Sequence, residues 1–192
     1  VYDLIEEGFT SMIDIPHEWL IRRNNQIQRD VAITQHEFID RDKIRASIDL
    51  IKYPIYHLDF ESFPCPLPRF KGERAYMQSL FQFSLHIETI PGVCDKEKDH
   101  FEFLAYNMTD LRKELVEKLC NLIQDDGGSV LVYNQAFEKT RIKELAEFFP
   151  EYSEKLLSIN ERLFDLMHII KTNTKLYEDL GYGTDRAKQV NY

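Results

Sequence analysis

The chain has 192 residues, 43% hydrophobic and 30% charged, with 7 Gly and 7 Pro. That composition belongs to a soluble globular protein and excludes collagen-like, low-complexity and disordered chains. Lys and Arg number 24 against 33 Asp and Glu, a formal net charge of −9, which disfavours a protein that grips nucleic acid chiefly by neutralising phosphates but not one that meets it through bound divalent cations.

No apolar run reaches the roughly 18 residues of a membrane helix, and no signal-peptide pattern opens the chain. Cys65, Cys94 and Cys120 form no CxxC pair. A zinc site or disulfide framework is therefore not expected, and a reducing, cytoplasmic setting is. The chain opens at Val1 without Met and closes at Tyr192 in a polar stretch, so the expectation is a fragment.

Residues 1–52 read as a helical N-terminal extension. The first helix stops at Gly8, a short element lies near Met12–Ile15, and Glu18 to Ile27 carries apolar residues at helical spacing. Asp40 stands where it can cap a helix from Arg41 to about Ile51, with Ile44, Ile48 and Ile51 on one face and Pro54 beyond its end. Residues 53–192 form the expected second domain. Ile55–Phe60 reads as a strand, followed by a loop with Pro64, Pro66 and Pro68. Ser79–Ile90 alternates Phe81, Phe83, Leu85 and Ile87 against Gln82, Ser84, His86 and Glu88, a strand with one buried face. After the Pro91-Gly92 turn, residues 100–105 make a third strand. Thr109 or Asp110 is placed to cap a helix to about Gln124, and Gly127-Gly128 breaks it. Ser129–Tyr133 reads as a buried strand, followed by helices over about 137–148 and 151–158 and another beginning near Phe164. The order β-β-β-α-β-α-α suits an RNase H-like α/β sheet flanked by helices, and the pattern alone also suits other α/β folds.

Three acids stand at the ends of strands. Asp59 and Glu61 are at i and i+2 of the first strand and so share a face. Two such carboxylates repel unless a cation lies between them, although strand-end acids that only meet solvent look the same in sequence. After the fourth strand, Asn134-Gln135-Ala136-Phe137-Glu138 ends the strand with Asn134, plugs the core with Phe137 and delivers Glu138 into the first turn of a helix, where an acid is also favoured by the helix terminus alone. Three converging carboxylates suit Mg²⁺ or Mn²⁺, and a pair of such ions can clamp a phosphodiester. Asp165 reads either as a further metal contact or as a helix N-cap. Arg69, Lys71 and Arg141 are candidate phosphate contacts. Solvated loop charges and helix ion pairs are the plain alternatives. His57 and His86 read as half-buried strand residues.

The stretches Tyr53–Phe63, Phe81–His86, Val132–Arg141 and Arg162–Leu166 resemble the first two sequence blocks of DEDD-type 3′-to-5′ exonucleases of the RNase H-like superfamily. They resemble more closely the bacterial domain of unknown function 2779 proteins, often found beside RecB-like nuclease regions. The resemblance covers about residues 50–172. It implies Asp59 and Glu61 as first-block metal ligands and Glu138 as the second-block carboxylate, where the wider exonucleases usually have Asp. It also implies Asn134 and Phe137 as residues lining the substrate site. No Tyr or His of this chain has Asp four positions on in a suitable late helix. The third block, a Tyr-x-x-x-Asp after a Gly-Ser-x-Ser-Ile-Lys-like stretch, is expected beyond Tyr192. The expectation is a Mg²⁺- or Mn²⁺-dependent 3′-to-5′ exonuclease acting on single-stranded or 3′-ended DNA or RNA, with a RecB-like region of the same protein as a partner. The alternative is a degenerate module that binds nucleic acid or a partner nuclease without cutting.

Overall fold

The structure, a computed structural model, describes residues 2–170. The chain divides into two compact units, one formed by the residues up to Asp49 with the segment beginning at His168, the other spanning Leu50–Met167. In the first unit, helices α1 (Tyr2–Glu6), α2 (Arg23–Thr34) and α3 (Arg41–Ile48) are joined by two single-turn 3₁₀ segments. Asp40 caps α3 as expected, accepting a hydrogen bond from the Lys43 amide at 3.1 Å. The helical spacing that starts at Glu18 resolves differently. His17–Trp19 forms a 3₁₀ turn and α2 begins only at Arg23.

The second unit is built on a sheet whose described strands are β1 (Ile55–Pro64), β2 (Gln78–Glu88), β3 (His100–Leu104), β4 (Val130–Val132) and β5 (Leu163–Asp165). Their spatial order is β3-β2-β1-β4-β5. β1 pairs antiparallel with β2, and β2 with β3, whereas β1, β4 and β5 run parallel. Helices α4 (Arg112–Leu122), α5 (Ala136–Phe148) and α6 (Ser153–Glu161) connect the strands, and a short α7 (Met167–Ile170) follows β5. Each parallel return thus passes through helix, as such connections must.

The core is made by one face of β1 and β2, with Tyr56, Leu58, Phe60, Phe83 and Leu85, packed against Leu115, Val116 and Leu119 of α4 and Ile142 of α5. The opposite face of the antiparallel strands is polar. There His57 lies opposite His86, and His86 opposite His100, each half-buried. One position breaks the expected alternation of β2. Phe81 is only half-buried, while Leu80 joins the core. The register between β1 and β2 slips at Glu61/Ser62, so that Ser62 faces Leu80 and Phe81 has no partner on β1.

Three further expectations are corrected. Leu111 is the N-cap residue of α4 and supplies no side-chain cap; Asp110 instead holds the Arg112 amide at 3.2 Å. The helix expected near Phe164 begins only at Met167, after the strand β5, which pairs with β4 from Val130/Leu163 to Val132/Asp165. β1 continues four residues past Phe60, to Pro64. α4 ends at Leu122, before Gly127-Gly128, and the second glycine has its own steric cause: a Cβ on Gly128 would collide with the Pro54 carbonyl oxygen, so only glycine lets the chain cross there into β4.

Candidate metal-binding active site

The connections leave β1 on one side of the sheet and return on the other, so the strand order reverses between β1 and β4. In open α/β sheets, the carboxyl ends of the strands beside such a reversal form a crevice. Asp59 lies two residues beyond the last β1–β4 register pair, His57/Leu131. It and Glu61 are exposed on the polar face of β1, alternating with the buried Leu58 and Phe60. At the carboxyl end of β4, Asn134 takes a left-handed conformation with φ of 68°. This turns the chain sharply into α5 and puts Glu138 in its first turn.

Glu138 is only 3% exposed, and its Oε2 is buried without a hydrogen-bond partner among the described residues. Burial pushes its carboxyl up to about 7; its own amide pulls the other way, and the negative charges of Asp59 and Asp165 add to the rise. Asp59 and Asp165 are thus each within electrostatic reach of Glu138. As they stand, no three His, Cys, Asp or Glu side chains among the described residues are gathered closely enough to hold a metal ion.

Asp165 is 4% exposed. Its Oδ1 accepts from the amides of Asn134 and Met167, both at 2.9 Å, and its Oδ2 from that of Gln135 at 3.0 Å. Of its two readings, these contacts match the cap, extended to a second segment: one carboxylate ties β5 to the β4–α5 turn. In sequence its position before an apolar segment signals the local cap, but nothing there signals the contacts made across 30 residues.

The other candidates fall in two places. Phe137 packs half-buried against the core, and the Arg141 guanidinium lies over its ring at 5.4 Å. Arg141 is 8% exposed and pairs with Glu144 at 3.0 Å, so a helix ion pair takes up the charge expected to meet phosphate. Arg69 and Lys71 lie on the exposed loop between β1 and β2, at the far end of β1 from His57. The exposed Asn134 contributes its backbone to the turn: its amide donates to Asp165 and its carbonyl accepts from Phe137 at 3.2 Å.

A three-strand antiparallel meander continued by parallel strands in the order 3-2-1-4-5, with acids at the reversal between β1 and β4, defines an RNase H-like α/β domain. The chain belongs to the family called Domain of unknown function (DUF2779), which it matches over residues 56–184. It is 28% identical over 128 residues to the uncharacterized protein UU173 of Ureaplasma parvum, covering 64% of this chain and 18% of that protein. It is 27% identical over 158 residues to the uncharacterized protein MG366 of Mycoplasma genitalium, covering 78% of this chain and 23% of that protein. The chain thus spans about a fifth of the length of these relatives. Among solved structures, it is similar to S. pombe Pop2p in its Mg²⁺- and Mn²⁺-bound form, at 14% identity and a TM-score of 0.42, covering 88% of this chain and 87% of that one. Among the described residues no helix is long and apolar enough to cross a membrane.

Proposed function

We propose that this chain is the nuclease-like domain of a divalent-metal-dependent phosphodiester hydrolase, a 3′-to-5′ exonuclease acting on DNA or RNA in the longer protein. One observation carries the reading. A glutamate is buried at the β1/β4 reversal with an oxygen that no group among the described residues satisfies, within electrostatic reach of the Asp59 carboxylate. A buried acid with an unsatisfied oxygen, raised further by a neighbouring negative charge, costs folding free energy, and such arrangements concentrate at functional sites.

The residues fit Mg²⁺ or Mn²⁺ by donor chemistry. Asp59, Glu61 and Glu138 offer only oxygen, and the unpartnered Oε2 of Glu138 is an open ligand position. When bound, the ion would lower the pKa of a water and offset negative charge developing on the phosphodiester. The chain's own groups do the placing. β1 holds Asp59 and Glu61 on one face at the strand's period of two. Asp165, through its amide contacts, fixes the turn that aims Glu138. Phe137 closes the core beneath it. A second reading, a module that binds nucleic acid without cutting, is favoured by one observation: three acids are not gathered among the described residues.

The test is a Mn²⁺ titration of this chain read by melting temperature. A cation that binds only the folded state adds about 2.7 kcal/mol at a hundredfold excess over Kd. The expected result is a metal-dependent rise in the parent that is lost in Asp59→Asn and Glu138→Gln. Variants that shift as the parent does would place the ion elsewhere and overturn the reading.

A further inference from the structure

A cavity of about 320 Å³ lies where β1, β2 and β3 end, lined by Phe63, Arg69, Phe70, Phe81, Phe103 and Met108 among others. That volume is at the low end of small-molecule sites, about 300–1,000 Å³, so it suits a single planar group. Part of its wall is a run of alternating rings and guanidinium groups that continues past the cavity to Phe148. Arg69 lies over Phe63 at 5.1 Å and over Phe70 at 5.2 Å. Arg112 lies over Phe70 at 5.2 Å and over Phe148 at 4.7 Å.

The stack is anchored from inside. Arg112 is 5% exposed and held by Asp110 at 2.7 Å and Glu73 at 3.6 Å. Glu73 in turn accepts hydrogen bonds from the Arg69 and Phe70 amides at 2.9 and 3.2 Å, and Arg112 donates to the Lys71 carbonyl at 3.3 Å. The loop that presents Arg69 and Phe70 is therefore fixed before any ligand arrives. The outer end of the stack is Phe63, 50% exposed.

We propose that this cavity is a nucleobase pocket, taking one unpaired base of a single-stranded nucleic acid. Three observations select that occupant. Alternating aromatic and guanidinium planes are the surface on which bases stack regardless of sequence. Residues 64–78 carry Arg69, Lys71 and Arg74 against Glu73 alone, a local excess of positive charge in a chain of net charge −9. Phe63 is two residues past Glu61 and four past Asp59 on the same strand, about 7 and 13 Å at a strand's rise of about 3.3 Å per residue. The pocket and the acids thus lie along one strand of the sheet. A base paired in a duplex is not available to the pocket, so the proposal also makes single strands the substrate class. That last step rests on the nuclease reading; the pocket itself does not.

The experiment measures binding of short fluorescein-labelled DNA and RNA single strands to this chain by anisotropy, in EDTA. Without metal, the result reads the pocket alone, and failure of the nuclease reading is seen separately in the Mn²⁺ titration. Phe63→Ala and Arg69→Ala, both at exposed positions, should each weaken binding about tenfold or more, and Phe63→Tyr should restore it. Unlabelled duplex should compete poorly. Comparison of the DNA and RNA arms shows which strand is preferred. Absent single-strand binding, binding unchanged in both alanine variants, or equal competition by inorganic polyphosphate, which has charge but no bases, would each overturn the proposal.

Discussion

The antiparallel and parallel halves of the sheet hold their acids under opposite conditions. β1 and β2 are 10 and 11 residues long and turn one face to water, where Asp59 and Glu61 are exposed. β4 and β5 have three residues each, and the acids they deliver, Glu138 and Asp165, are 3% and 4% exposed. Water solvates the first pair. The protein must solvate the second, and it does so unequally. Three backbone amides satisfy Asp165, whereas Oε2 of Glu138 has no partner among the described residues. Burial by itself therefore does not mark a functional acid. Missing compensation is what sets Glu138 apart from Asp165, because a buried polar group without a partner costs folding free energy that packing alone does not return.

The comparison breaks most readily at Asp165. Replacing it with Ala leaves three buried or half-buried amides without their acceptor, and the expected loss is about 3–5 kcal/mol in urea unfolding. A loss below about 1 kcal/mol would show that the β4–α5 turn holds its shape without this carboxylate. The next effect is a pH dependence. The Glu138 carboxyl is raised from its ordinary 4.5 to about 7, so the folded state binds this proton more tightly than the unfolded one. Its stabilising contribution is fully present below about pH 4.5 and is lost as pH rises through about 7, on the order of 3 kcal/mol in all. Other groups titrate over the same range. The measurement is therefore the difference in unfolding free energy between the parent and Glu138→Gln across that window, and a constant difference would contradict the assignment.

A smaller effect tests the turn's backbone. Asn134 sits at φ of 68°, a region most side chains enter at a cost of about 1–2 kcal/mol. Asn134→Ala should destabilise by about 1 kcal/mol, and Asn134→Gly should be close to neutral. Equal losses for both would mean that the Asn side chain, not the conformation, matters. The smallest effect belongs to the antiparallel half. Without metal, Asp59→Asn and Glu61→Gln should each stay within about 0.5 kcal/mol of the parent, as exposed substitutions do. Asp59→Asn should also lower the Glu138 carboxyl by removing one of the charges that raise it. That shift can be followed by NMR titration.

Much of the fold was legible in the chain. Hydrophobic alternation marks β2, the aromatic and branched run at Ile55–Phe60 marks β1, and Asp40 marks the start of α3, because each signal is local: a strand's period of two, a strand-forming composition, a side chain three residues from the amide it caps. The strands β4 and β5 differ in this respect. Val130–Val132 is apolar throughout and reads as buried, whereas Leu163-Phe164-Asp165 is too short and too close to a helix to reveal a strand. It becomes one only by pairing with β4.

The candidate site divides along the same line. The sequence by itself determined that Asp59 and Glu61 share a face, since the backbone period requires it, and that Glu138 opens a helix after a buried strand. Only the tertiary structure decided which acids the protein satisfies. It gave Asp165 three amides from two segments, left an oxygen of Glu138 bare, and set Arg141 against Glu144. It also built the Phe63–Arg69–Phe70–Arg112–Phe148 stack from residues as much as 85 positions apart. Solvation and stacking are properties of neighbours in space. A sequence orders neighbours along the chain, and the two coincide only within a strand, a helical turn or a cap.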